Sequence, residues 1–217
     1  MTRTSLKTRD SIAATLASSP IIGVVRTHSH EEAADQARQF IAGGIELVEI
    51  TFTVPDATDL VRELRRSRPA NGPPWIGMGT VTSIERADSA IEAGAEFLVS
   101  PNASSAVASV ARRSDVYLVL GALTPTEIVA AIDLGADIVK VYPLPPVGGT
   151  EYLSVVRQPL GDIPMLAAGG FSVDEIPSYR AAGASAFGIG GPLLGRDEEE
   201  TALRIQRALS LARGLES

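Results

Sequence analysis

The chain has no cysteine, which excludes disulfide staples, thiolate-held metals and cysteine nucleophiles. Histidine occurs only as His28 and His30, in one polar stretch. That pair is too close together and too few for a metal triad, so both read as solvent-facing or as a helix cap, and no metal site is expected. No apolar run approaches the ~20 residues needed to cross a bilayer. Residues 5–19 are polar and amphipathic rather than the apolar centre of a secretory leader, so a cytoplasmic location is expected. Basic charge is also short: 19 Lys and Arg against 26 Asp and Glu leave a net charge of −7, which argues against nucleic acid or an anionic membrane as partner.

Lysine is the scarcest charged residue. Arginine fills 17 of the 19 basic positions, and the two lysines are Lys7 and Lys140. Lys140 lies inside Asp137-Ile138-Val139-Lys140-Val141-Tyr142, a β-branched run that reads as a buried strand. Away from water an ammonium group is costly, and a lysine there tends towards the nucleophilic amine that forms imines with carbonyl substrates. A snorkelling or salt-bridged lysine is the alternative. The near-complete replacement of lysine by arginine elsewhere favours a site that needs an amine.

What the chain does contain is 45% hydrophobic residues spread over 217 positions, enough for one full core. Apolar strand-like runs occur at Ile21–Val25, Leu47–Phe52, Trp75–Gly79, Phe97–Ser100, Tyr117–Leu120, Ile138–Tyr142, Pro164–Ala168 and Ala186–Ile189. Helical spacing separates them, over Glu31–Ala42, Ala57–Arg68, Ile84–Ala93, Ser105–Arg113, Pro125–Leu134, Glu151–Arg157, Val173–Ala182 and Glu198–Ala212. Asp56, Ser83, Thr124 and Asp197 read as helix N-caps, and Gly43, Gly94, Gly135 and Gly183 as helix ends. The pairs Gly44-Ile45, Gly94-Ala95, Gly135-Ala136 and Gly183-Ala184 each lead into an even-numbered strand, the mark of a chain adding two β/α units per repeat. The expected architecture is α/β, a (β/α)8 TIM barrel forming one domain over residues 1–217, with an extra N-terminal helix at Leu6–Ala17 inside an extension of residues 1–19. An open doubly wound sheet is the competing topology.

Catalytic groups of such barrels lie at the C-terminal strand ends. Glu49 falls in Leu47-Val48-Glu49-Ile50-Thr51, where alternation puts Leu47, Glu49 and Thr51 on one face. The same rule groups Ile138, Lys140 and Tyr142. If both faces point inward, an acid and an amine meet in a nearly dry space. Replacing such a pair by apolar residues is often neutral or stabilising, so its presence at a barrel mouth points to chemistry. Gly169-Gly170 after the seventh strand and Gly190-Gly191 after the eighth offer backbone N–H groups where phosphate commonly binds in this fold. Arg26 ends the first strand and could clamp a carboxylate or phosphate. Trp75 and Phe97 read as core or interface residues, and Arg62, Arg65, Arg66 and Arg68 as a solvated helix face.

Taken together, Val48-Glu49-Ile50-Thr51, Gly77-Met78-Gly79-Thr80-Val81, Ser100-Pro101-Asn102, Lys140-Val141-Tyr142-Pro143, Gly169-Gly170 and Gly190-Gly191 resemble the class I 2-keto-3-deoxy-6-phosphogluconate (KDPG)/4-hydroxy-2-oxoglutarate (KHG) aldolase family. The resemblance runs from about Ile21 to Leu194. It implies a homotrimer of (β/α)8 barrels that needs no metal or cofactor beyond a covalent imine on Lys140. It also implies Glu49 as general acid/base, Thr80 and Pro101 around a pyruvyl group, Tyr142 beside the imine, and small-molecule partners, a keto acid and an aldehyde. Arg26 is expected to hold the substrate carboxylate. The chain departs from the family pattern at Thr53, where relatives often carry arginine, and at Ala168 and Pro192, where hydroxyl residues are common at the expected phosphate site. Pro145-Pro146 also replaces a small polar loop.

Two other readings fit the same barrel. A phosphosugar epimerase or synthase working without an imine would display further Asp or His residues at strand ends, which are scarce here. A catalytically silent oligomeric scaffold or small-acid binder would not need both the amine and the acid.

Overall fold

A computed structural model describes residues 3–69 and 72–215. Residues 1–2, 70–71 and 216–217 of the expected domain lie outside the described residues. The strands are β1 (Ile21–Val25), β2 (Leu47–Thr51), β3 (Trp75–Gly79), β4 (Phe97–Ser100), β5 (Tyr117–Ala122), β6 (Ile138–Val141), β7 (Met165–Ala168) and β8 (Ala186–Ile189). Each pairs in parallel with its sequence neighbour, and β1 pairs with β8 through Ile21↔Phe187 and Gly23↔Ile189. The sheet therefore closes, and the open-sheet alternative is excluded.

Helices α1 (Arg3–Ser18), α2 (His30–Ala42), α3 (Ala57–Ser67), α4 (Ile84–Glu92), α5 (Ser105–Ser114), α6 (Pro125–Asp133), α7 (Gly149–Leu160), α8 (Ile176–Ala181) and α9 (Glu198–Arg213) alternate with the strands. Capping chemistry fixes several starts. Ser83, Thr124 and Asp197 accept backbone N–H groups three residues on, and Thr124 closes a capping box with Glu127. Asp56 does not cap by side chain: it lies in the left-handed region at φ 52° and makes no such bond. The expected single helix over Val173–Ala182 is a short 3-10 turn, Val173–Glu175, followed by α8. Pro177 explains the restart, because it has no N–H to extend the first turn into an α-helical ladder.

Two apolar layers result. Outward-facing strand residues such as Val48, Ile50 and Val139 pack under the helices. Inside the barrel, Leu47, Trp75, Phe97, Tyr117, Ile138 and Ala186 form a plug with Ile12 and Leu16 of α1. Helix α1 thus closes the N-terminal end. Full burial of Ile12 and Leu16 contributes about 1.5–3 kcal/mol each. The Trp75 indole N–H donates to Thr15 Oγ1 at 3.0 Å, and Arg9 pairs with Asp137 at 2.7 Å, which fixes the docking angle. Trp75 and Phe97 are core residues.

One buried polar knot lies beside this plug. Glu96, just before β4, accepts from the Ile76 N–H at 3.0 Å and from Arg65 at 3.0 Å, and it contacts Arg68. Arg68 is not part of a solvated face: its side chain is 3% exposed and folds back over the Trp75 ring, because α3 ends there and the chain turns inward. Glu96→Ala would leave the Arg68 guanidinium buried without its acid. The expected cost is about 3–5 kcal/mol, read as a lower denaturant midpoint at unchanged slope.

Candidate active site

Closure turns the strand alternation into geometry. Leu47 and Ile138 belong to the interior plug, so Glu49 and Lys140, two residues further along β2 and β6, also project into the bore one level higher. Lys140 Nζ lies 3.8 Å from Glu49 Oε2, within ion-pair reach but longer than a hydrogen bond. The Glu49 side chain is 2% exposed and that of Lys140 11%. Glu49 Oε1 is buried with no protein hydrogen-bond partner, one of three such side-chain atoms among the described residues.

Glycine makes room for this acid. A methyl group at Gly79 would lie 1.8 Å from Glu49 Oε1. Below it, one at Gly77 would lie 2.4 Å from the Phe97 ring. The Trp75-Ile76-Gly77-Met78-Gly79 strand therefore presents small inward positions where neighbours supply large ones. Gly121, paired with Lys140 across β5 and β6, has a related role: a side chain there would meet the Pro101 carbonyl at 2.2 Å. Neither Gly79 nor Gly121 stands out as functional in the sequence. The available signal is glycine inside an otherwise apolar strand, which marks close approach of a neighbour.

The Lys140 amine opens into a cavity of about 330 Å³ at the C-terminal mouth. Arg26, Tyr142, Gly169, Gly170, Gly190, Gly191 and Pro192 are among its lining residues. Arg26 is exposed and has no hydrogen-bond or ion-pair partner among the described residues. The Tyr142 ring centroid is 5.6 Å from Lys140 Nζ, at the edge of cation–π range. The glycines divide into two kinds. Side chains at Gly169 and Gly190 would strike the Pro145 ring and the Val24 carbonyl at 2.8 and 2.5 Å, whereas Gly170 and Gly191 face open space. The first kind seats the loops, and the second fronts the cavity.

Of the residues the sequence selected for substrate contact, Thr51, Thr80 and Pro101 do not line this cavity. The Thr51 hydroxyl is committed within the protein, donating to the Val25 carbonyl at 3.0 Å and lying 2.7 Å from Thr53 Oγ1. Thr80 directly follows β3 with φ 58°, in the left-handed region. Pro101 lies over Gly121. Glu49 is likewise absent from the lining and reaches the cavity through the lysine.

Comparison with known proteins bears on this arrangement. The family model described as KDPG and KHG aldolase matches residues 12–207. The chain belongs to the KDPG and KHG aldolase family. That family comprises class I pyruvate aldolases, which are carbon–carbon lyases working through a covalent imine. A 2-dehydro-3-deoxy-phosphogluconate aldolase of Treponema pallidum (strain Nichols) is 31% identical over 161 residues, covering 74% of this chain and 75% of that protein. A probable 2-dehydro-3-deoxy-6-phosphogalactonate aldolase of Rhizobium meliloti (strain 1021) is 30% identical over 174 residues, covering 80% and 81%. A solved 4-hydroxy-2-oxoglutarate/phosphogluconate aldolase superposes with a TM-score of 0.80 at 31% identity, covering 92% of this chain and 97% of that one. Among the described residues no group of three or more His, Cys, Asp or Glu could hold a metal ion.

Proposed function

We propose that the protein reversibly cleaves a 2-keto-3-deoxy acid to pyruvate and an aldehyde, with Lys140 as the imine-forming amine and Glu49 as its proton-transfer partner. The observation that carries the proposal is the 3.8 Å approach of this amine and this acid inside the bore, with the amine alone reaching the cavity.

The free amine of Lys140 adds to the C2 ketone, giving a carbinolamine. Glu49 donates a proton to the departing hydroxyl, water leaves, and a protonated imine remains. The imine then accepts the electron pair of the C3–C4 bond while the C4 hydroxyl loses its proton to the Glu49 carboxylate, directly or through water. An aldehyde departs and an enamine stays on Lys140. Glu49 returns the proton to C3, forming the pyruvate imine, and water hydrolyses it to pyruvate and free lysine. The otherwise unengaged Glu49 Oε1 supplies the acceptor these steps require. Tyr142 flanks the imine, and Thr51 acts by holding the end of β2 rather than by contact with substrate.

Arg26, Gly170 and Gly191 serve the end of the substrate that leaves as the aldehyde. Arg26 and these glycines share the Lys140 cavity, which supports a substrate-binding role for them and leaves the carboxylate role expected for Arg26 beside the distal one. A distal anion, phosphate or carboxylate, is the ligand an unpaired guanidinium and open backbone amides select. With Ala168 and Pro192 contributing no hydroxyl, the arginine carries more of that recognition. Pyruvate release should therefore be seen from a panel containing 2-keto-3-deoxy acids, their 6-phosphates and 4-hydroxy-2-oxoglutarate, fastest for those with a distal anion. Arg26→Ala should lower kcat/KM for the anionic acids roughly 10- to 100-fold, the worth of one charge-assisted pair. No pyruvate from any panel member would sink the proposal.

Family resemblance also supports a homotrimer. Light scattering after size exclusion should give three chain masses, and a single chain mass would contradict this. The bacterial aldolase relatives support a cytoplasmic location.

A further inference from the structure

The bore is open on one side only. Every strand residue is buried except Val24 of β1 and Gly188 of β8, which are partly exposed. Both line the Lys140 cavity. The described residues around that cavity come from β1, β6, β7 and β8 or the loops after them, and β2 to β5 contribute none. On the closed side, Glu49, Phe97 and the Pro101 carbonyl fill the space beside the inward glycines. A substrate chain attached at Lys140 therefore extends across β7, β8 and β1, over Ala168, Gly188 and Val24. None of these three carries a polar side-chain atom, so what this floor discriminates is bulk.

Four strand glycines project into the bore: Gly77, Gly79, Gly121 and Gly188. Each lies two or four positions beyond a residue of the interior plug on its own strand. Protein atoms replace the missing side chains of the first three. Phe97, Glu49 and the Pro101 carbonyl approach to 2.4, 1.8 and 2.2 Å of where a methyl group would lie. Gly188 is different. A methyl there would first meet Leu166 Cδ2 at 3.1 Å and Ala168 Cβ at 3.4 Å, a contact that a small shift of the leucine end relieves. Its backbone is ordinary strand rather than left-handed, so conformation does not demand glycine either. Glycine inside a strand also weakens it relative to alanine. Neither backbone nor neighbour calls for glycine at 188, and the space it leaves opens on the cavity.

We propose that Gly188 is a specificity-determining residue: its absent side chain is the room through which the carbon chain of the keto acid runs from Lys140 towards Arg26 and Gly191. The inference rests on the aldolase reading of this site. It assigns the pyruvyl part to the amine and the acid, and the part that leaves as the aldehyde to the floor over Gly188.

Two reactions of the whole protein separate these parts in Gly188→Ala and Gly188→Val. Cleavage of the best keto acid needs the full chain. Solvent deuterium exchange into the methyl group of pyruvate needs the imine and enamine on Lys140 but no aldehyde. The kcat/KM for cleavage should fall roughly tenfold in Gly188→Ala and at least roughly 100-fold in Gly188→Val, the range that one or more added carbons command in a tight pocket. Exchange should keep its wild-type rate, and the melting temperature of Gly188→Ala should equal or exceed that of the wild type. Wild-type cleavage in Gly188→Val overturns the inference. So does a parallel loss of exchange in Gly188→Ala, which would place the added methyl against the imine, and so does a lowered melting temperature there, which would make the glycine a requirement of the fold. If Gly188→Val does not fold, Gly188→Ala decides alone. A wild-type protein that neither exchanges pyruvate nor cleaves any keto acid is a separate result, visible before a variant is made; it removes the aldolase reading and this inference with it.

Discussion

Replacing Lys140 with methionine should lower pyruvate release by roughly a million-fold, the order seen when a nucleophile is removed from a catalytic unit. Methionine matches the length and apolar stem of lysine in a bore that already surrounds all but 11% of the side chain, so the barrel should survive. Its far-ultraviolet circular dichroism should remain that of the wild type. The chain's second lysine, Lys7, lies in α1, at the opposite end of the barrel from the site. Turnover within tenfold of wild type would mean that the reaction does not pass through an imine.

The second large effect concerns the acid. Glu49→Gln keeps shape and burial but cannot carry a proton, and kcat should fall about 10²- to 10⁴-fold, the usual contribution of a positioned acid/base. Gly79→Ala reaches the same group without altering it. Its methyl would lie 1.8 Å from Glu49 Oε1, so the carboxylate must move away from Lys140. Overpacking of this kind costs about 1–3 kcal/mol of stability, and a comparable fall in kcat should accompany it. If Gly79→Ala folds with wild-type kcat, the exact seat of the carboxylate is immaterial to turnover.

The elements that could be read from the sequence are those governed by short-range periodicity. In Leu47–Thr51 and Ile138–Val141, alternation grouped Glu49 with Leu47 and Lys140 with Ile138, and barrel closure turns both faces inward. Closure itself depends on β1 meeting β8 across the whole chain, which no local pattern encodes. The same limit hid Arg68, whose spacing suits an exposed helix face but whose fate is set by Glu96, 28 residues away. Asp56 has the chemistry of a cap, yet its backbone enters α3 through a left-handed turn that side-chain type alone does not reveal. Thr51 was legible as an inward mouth residue, but its hydroxyl is taken by the Val25 carbonyl of the adjoining strand. Among the site residues, those identified by chemical oddity, a buried acid and a lone lysine, came together. Glycine inside an apolar strand signals close approach at 79 and 121, but which neighbour approaches, Glu49 or Pro101, is known only from the closed barrel.

Everything turns on the amine at position 140. Incubating the protein with pyruvate and borohydride, digesting it and sequencing the peptides by mass spectrometry asks directly whether that amine forms the imine. A reduced pyruvate adduct on the peptide carrying Lys140, absent from the Lys140→Met variant, is the predicted result. No adduct, or one confined to Lys7 or the N-terminal amine, would contradict it.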